Sequence, residues 1–175
     1  GRTILVFSGE QAGLVCKEHK NVRLDGLTLD GSALSPAGTN EAVHLIDFEK
    51  VEQVSIRNCH ILKCPSNGIS LARCSGHVMD CEVDAAARTG IFSIDATGLE
   101  ISHNHVHDCA NNGIQVWRTE AGEDGTIVAA NRIEAIGASQ GGSGQNGNGI
   151  NVFKAGSVQV SGNRISDCVF TAVRG

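Results

Sequence analysis

The chain has 175 residues, a formal net charge of −5, a single tryptophan and no tyrosine. That length fits one domain with a sizeable core, and the acidic balance argues against a nucleic-acid groove. No stretch is long and apolar enough to cross a membrane, and no signal peptide is visible.

From Leu24 onward the chain repeats a short pattern of alternating apolar residues. The second apolar residue of the first strand in each repeat is Leu24, Ile56, Val78, Ile101, Val128 and Val160. Three residues further on stand Leu27, Cys59, Cys81, Asn104, Asn131 and Asn163, and five residues further on Leu29, Ile61, Val83, Val106, Ile133 and Ile165. A later strand carries Val43/Leu45, Ile69/Leu71, Ile91/Ser93, Ile114/Val116, Ile150/Val152 and Val173, in several copies opened by Gly-Ile. Ile56 and Val78 are 22 residues apart, Val78 and Ile101 are 23. That spacing is too short for a helix crossover and fits one turn of a solenoid, in which each coil buries its apolar side against its neighbours. Alternation with period two reads as strands with one buried face. The expected fold is all-β: a right-handed, single-stranded parallel β-helix of about six coils, each of three short strands. The ladder Asn104, Asn131, Asn163 is expected at the turn between the first two strands, where Asn tolerates the left-handed conformation and its amide bonds the next Asn.

The seven cysteines contain no C-x-x-C pair or zinc spacing, and most fall in inward columns. Cys59 and Cys81 lie on adjacent coils, close enough for a disulfide in an oxidising compartment. The chain starts at Gly1 and reaches Gly175 as a coil closes, with no C-terminal cap in view. Residues 1–175 are therefore expected to be one β-helix segment of a longer protein.

Three insertions interrupt the period: Ala33 to Glu41, Arg118 to Gly125 (RTEAGEDG) and Gly137 to Asn148 (GASQGGSGQNGN). All flank the third strand, and insertions on one face of a repeat protein often mark its binding face. The outward column of that strand reads His44, Ser70, Phe92, Gln115, Asn151 and Arg174, followed by Ile46, Ala72, Ile94, Trp117 and Phe153. The next column, Asp47, Arg73, Asp95, Arg118 and Lys154, alternates in sign over its first four members. It reads first as a salt-bridge ladder. The sharper alternative is a groove with Phe92, Trp117 and Phe153 as platforms. There Gln115, Asn151, Arg73, Asp95, Arg118 and Lys154 would contact a sugar chain.

Asp47 and Asp95, two coils or about 9–10 Å apart, lie at the edge of the spacing for an inverting glycosidase. Arginines on either side of Asp95 would keep it ionised, the wrong state for a general acid. Glu120, Glu123 and Asp124 could supply an acid or bind Ca²⁺, the one cofactor considered. A lyase base could come from Arg73, Arg118 or Lys154. On the second strand the outward columns are His60, Glu82, His105, Arg132 and Leu62, Asp84, His107, Glu134. Histidines at i and i+2 can chelate a metal, but a solvated face with cross-strand pairs is the favoured reading, with no metal assigned. The Gly-rich run at Gly141 matches no P-loop.

Two stretches, Val116 to Gly125 and Gly149 to Gly175, together with Leu24 to Gly31, resemble the twin-arginine-translocated right-handed parallel β-helix repeat proteins of proteobacteria. The coil pattern is more distantly similar to pectate lyases and alginate epimerases with the pectin-lyase-like fold. The first resemblance implies export to the periplasm or beyond, and transfers no catalytic residues. The second implies a polysaccharide partner on the third-strand face, although the calcium-binding Asp cluster of pectate lyases is missing. The expected function is polysaccharide binding, with modification by a lyase, epimerase or hydrolase as an extension and a structural or adhesion scaffold as the alternative.

Overall fold

The computed structural model describes residues 3–35, 42–141 and 144–175. These residues form three parallel sheets, of six, seven and seven strands, that run the length of one coiled chain. Each coil visits the sheets in turn. The first sheet stacks Arg23–Asp25, Val54–Arg57, Gly76–Met79, Leu99–Ser102, Ile127–Ala129 and Gln159–Ser161. The second holds His60–Leu62, Glu82–Asp84, His105–His107 and their counterparts, and the third Ile69–Ala72, Thr89–Ile94, Asn112–Glu123 and Asn148–Gly156 among others. Pairing of Ile56 with Val78, Ile101 with Val128, and Val83 with Val106 follows the sequence columns. The architecture is the expected parallel β-helix of six three-strand coils. A partial coil, Thr3–Gly9 and Leu14–Lys17, precedes Leu24 and pairs with the second and third sheets. It carries neither the Asn nor the Gly-Ile mark, so the repeat does not announce it.

The core is one column of Ile, Val, Leu and Cys, with Ile61, Val83, Val106 and Ile133 fully buried in line. Five cysteines are buried in this column and all seven are free thiols. The Cys59–Cys81 bridge that their adjacency allows is not formed. Each thiol instead donates to a nearby carbonyl, Cys59 to Arg57 (3.1 Å) and Cys81 to Met79 (3.2 Å).

The Asn ladder forms, with a correction to its reason. Asn104, Asn131 and Asn163 point inward. The Asn104 backbone N–H and side-chain amide both donate to Asn131 Oδ1 (2.9 and 3.0 Å), and Asn131 repeats this toward Asn163 Oδ1 (2.9 Å each). The left-handed residue is the one before each Asn: His103 (φ 58°), Ala130 (φ 54°) and Gly162 (φ 64°). The corner turns on that residue, and the Asn that follows occupies the inside of the bend. There its amide satisfies backbone groups that water cannot reach.

The glycine of each Gly-Ile pair has a different cause. Gly68, Gly90, Gly113 and Gly149 form a column where the backbone of one coil presses on the next. A Cβ on Gly113 would sit 2.6 Å from the Gly149 carbonyl oxygen and 2.6 Å from Ile133 Cγ2. Glycine should therefore be favoured over alanine at two kinds of site, for different reasons. Gly113→Ala is expected to destabilise by about 1–3 kcal/mol through overpacking. Ala130→Gly, at a left-handed corner, is expected to stabilise by up to about 1 kcal/mol by removing Cβ strain. Urea unfolding of both variants checks the pair of signs.

Candidate functional site

The third sheet turns one row of side chains out of each coil. In register, that row is Asp47, Ser70, Phe92, Gln115, Asn151 and Arg174. The following outward row is Glu49, Ala72, Ile94, Trp117 and Phe153. Phe92, Trp117 and Phe153 meet across three coils. The Phe92 and Trp117 centroids are 5.8 Å apart, edge to face at 80°, and those of Trp117 and Phe153 are 5.6 Å apart at 58°. Such pairs are worth about 0.5–1.5 kcal/mol each beyond the area they cover. The trio is a preformed apolar strip with Phe153 half exposed.

The GASQGGSGQNGN insertion stands over this strip, its residues Gly142 and Ser143 lying outside the described residues. Buried asparagines of the third sheet hold it. Asn112 and Asn151 each donate a side-chain N–H to the Gln145 carbonyl (3.0 Å each), and Asn111 Oδ1 accepts from the Gln140 N–H (2.9 Å). A cleft of about 380 Å³ results, with His44, Arg88, Thr89, Phe92, Gln115 and Trp117 on one side and Gln140, Gln145 and Asn146 on the other. A second chamber of about 360 Å³ continues past Trp117 and Gln145 to Asn151, Phe153 and Arg174. The RTEAGEDG insertion does not contribute a wall. It extends the third-sheet strand to Glu123, with Gly122 and Glu123 paired to Ala155 and Gly156. Most of the Ala33 to Glu41 insertion, residues 36–41, lies outside the described residues.

The charged column is not the expected ladder. The segment from Val43 to Phe48 offers two alternating apolar frames, Val43/Leu45 and Ile46/Phe48. The structure uses the second, pairing Ile46 with Ile69 and Phe48 with Leu71. This frame lets fully buried Val51 follow a corner in step with Cys74 and Ala96. Asp47 thus belongs with Ser70, and Lys50 takes the place beside Arg73, its N–H bonded to the Ala72 carbonyl (2.8 Å). The Asp47–Asp95 carboxylate pair is thereby removed as a hydrolytic site.

Arg73, Asp95 and Lys154 sit on left-handed corners (φ 55°, 54° and 58°) and take local partners. Arg73 pairs with Glu49. Asp95 accepts from the N–H and hydroxyl of Thr119, both at 2.8 Å. Burial pushes the Asp95 carboxyl upward, but these two bonds, with Arg118 and Arg73 nearby, outweigh it and hold it below the ordinary carboxylate range. An ionised, capped Asp95 cannot serve as a general acid. Arg118 turns to the Ala96 carbonyl (3.3 Å) and to buried Asp124 (3.9 Å), away from the cleft. Burial raises the Asp124 carboxyl, with Thr126 and Arg118 opposing. Lys154 donates to the Thr119 carbonyl (2.9 Å) with its ammonium 5.6 Å from the Phe153 ring centroid. Of the expected contact residues, Gln115, Trp117 and Phe153 line the chambers. Asn151 does too, but spends an amide N–H on the loop. Arg73, Asp95, Arg118 and Lys154 are absent from both linings.

The structure adds residues that the strand pattern passes over. A polar residue precedes each Gly-Ile pair, giving Asn67, Thr89, Asn112 and Asn148, and His44 precedes Leu45 in the same row. These stack as a second ladder at the edge of the cleft. The Asn67 N–H donates to His44 Nδ1 (3.3 Å), the Thr89 N–H to Asn67 Oδ1 (3.1 Å), and the Asn148 N–H to Asn112 Oδ1 (3.2 Å). The recurring polar-Gly-Ile triplet was the available signal. Burial lowers the His44 pKa, with Asp47 opposing and Arg88 adding to it, so His44 is neutral near pH 7. Thr89 also donates to Gln115 Oε1 (2.6 Å), fixing that amide in the cleft floor. The side chains lining the two chambers include seven amides and two arginines and, among the described residues, no carboxylate.

The loop's dependence on Asn151 is testable. Asn151→Ala should speed hydrogen exchange at the Gly141 and Gly147 amides by about tenfold, the loss of one buried hydrogen bond of about 1–1.5 kcal/mol. The amides of the Ile101 and Val128 strands should be unaffected.

Comparison with curated proteins and with solved structures finds no match. A family model described as a right-handed beta helix region matches residues 7–133 and 42–174, which together take in nearly every coil seen above. With its three parallel sheets and stacked turns, the chain belongs to the right-handed β-helix family.

Proposed function

We propose that this chain is an exported β-helix protein that binds polysaccharide along the outer face of its third sheet. The observation that carries this reading is the aromatic strip Phe92–Trp117–Phe153 beneath two joined chambers lined by amides and arginines. The C–H face of a pyranose stacks on an aromatic ring, and its hydroxyls are matched by amides that both donate and accept. Arg88 in one chamber and Arg174 in the other favour sugars bearing carboxylates or sulfates. Two-carboxylate hydrolysis has no support here, since neither chamber's described lining holds a carboxylate. Binding is therefore the primary activity. Any modification is limited to chemistry that a neutral His44 and an arginine could assist, such as uronate elimination. The resemblance to exported repeat proteins supports placing the chain in the periplasm or at the cell surface.

Trp117 is the sole tryptophan, so its fluorescence reports directly on the strip. Titration with neutral and uronate polymers should change the emission of the wild type. Trp117→Ala should weaken binding, read on a glycan array, by tenfold or more, a loss of about 1.4 kcal/mol or greater. Arg88→Ala with Arg174→Ala should weaken uronate binding more than neutral binding. If the wild type binds no glycan, or Trp117→Ala binds as well as wild type, the scaffold reading replaces this one. Incubation with uronate polymers tests elimination separately, because a lyase raises ultraviolet absorbance and a flat trace excludes that class.

A further inference from the structure

Three of the chain's seven histidines gather around one glutamate on the second sheet, a different sheet from the one that carries the aromatic strip. His105 and His107 are alternate residues of one strand, and Val106 between them is fully buried, so both rings face outward. Their centroids are 4.3 Å apart. Glu82 lies beside His105 on the preceding coil, with His60 on its other side. Glu82 Oε1 is 3.4 Å from His107 Nε2, and Glu82 Oε2 is 3.7 Å from His60 Nε2, a buried nitrogen with no hydrogen-bond partner.

We infer that Glu82, His105 and His107 form a binding site for a zinc-class divalent transition ion. One donor atom from each residue lies within 4.8 Å of the other two. A tetrahedral ion with bonds of about 2.0–2.2 Å holds its donors about 3.3–3.5 Å apart, so small side-chain rotations close the site. The backbone needs no change, because strand register already aligns the three residues. The surrounding carboxylates suit ligating imidazoles. His107 Nδ1 donates to Asp108 Oδ2 (2.7 Å), which leaves Nε2 facing the Glu82 carboxylate. The contact from Nε2 to Glu82 Oε1, at 3.4 Å, is long for a hydrogen bond, and an ion seated between the two would replace it. Asp84, 3.6 Å from His107 Nδ1, adds to the negative potential. His105 Nε2 is bonded to Glu134 Oε1 (2.8 Å), a carboxylate in turn held by Arg132. A hydrogen bond from the non-ligating ring nitrogen to a carboxylate is the usual support of a metal-bound histidine. Two imidazoles and a single carboxylate favour zinc-class ions over Ca²⁺, which takes oxygen donors. The ion would clasp adjacent coils on a face other than the cleft, so the site does not depend on glycan binding.

Calorimetric titration with Zn²⁺ alone tests this. The expected result is one ion per chain with a dissociation constant on the order of micromolar or tighter, and no competition from Ca²⁺. His105→Ala, His107→Ala and Glu82→Gln should each weaken binding by tenfold or more. Imidazole NMR of the wild type keeps the test independent of whether a variant folds: Zn²⁺ should shift the His105 and His107 resonances first. Weaker binding, an affinity that falls by less than tenfold in the variants, or first shifts at His19, His77 or His103 would each overturn the assignment.

Discussion

Every feature of this molecule depends on parallel stacking at one-strand spacing. Each residue of a coil lies directly on its counterpart in the next, about 4.8 Å away. A column must therefore be compatible with itself. Ile and Val satisfy this by dispersion and burial, and asparagine by passing its amide from one coil to the next. At Gly113 the requirement is harsher, because the backbones approach too closely for a Cβ. At the corners it selects residues that accept a left-handed conformation, even Ala130 and His103. No coil is stable alone, since its buried face exists only between neighbours.

The same constraint decides where a binding site can form. A regular column spends its polar groups on its neighbours. Asp95, Arg73, Arg118 and Lys154 illustrate this, each tied to a local partner at a corner. A cleft needs a place where the period is broken, and the Gly137 to Asn148 insertion supplies it by folding back over Trp117. Its attachment uses the ladder residue Asn112 together with Asn111 and Asn151, so the wall is anchored in part on a residue that also stabilises the coil. The second sheet solves a different problem. His105 and His107 face outward because Val106 faces inward, and stacking on Glu82 and Glu134 concentrates imidazoles and carboxylates on one surface.

Much of the fold was legible in the primary structure. The columns keyed on Ile101, Asn104 and Val106 correspond to observed pairings along the first two sheets. The aromatic strip was legible too, since Trp117 and Phe153 hold equivalent places in their repeats. The first charged column was not. Val43 to Phe48 satisfies the alternation rule in two frames, and local pattern does not choose between them. The choice falls to Val51, which must pack inside a corner in step with Cys74. That contact lies one coil away.

The sequence by itself determined the strand period, the three-sheet coil and which columns face the core, because those follow from local alternation repeated many times. Only the tertiary structure decided what the interruptions do. Two insertions, one rich in charge and one in glycine, flank the third strands of successive coils. RTEAGEDG continues the sheet as a paired extension, while GASQGGSGQNGN folds over the aromatic strip. The difference lies in the partners each meets, backbone groups of the next coil for one and projecting asparagine amides for the other. Contacts between residues distant along the chain are set by stacking, and neither segment encodes them alone.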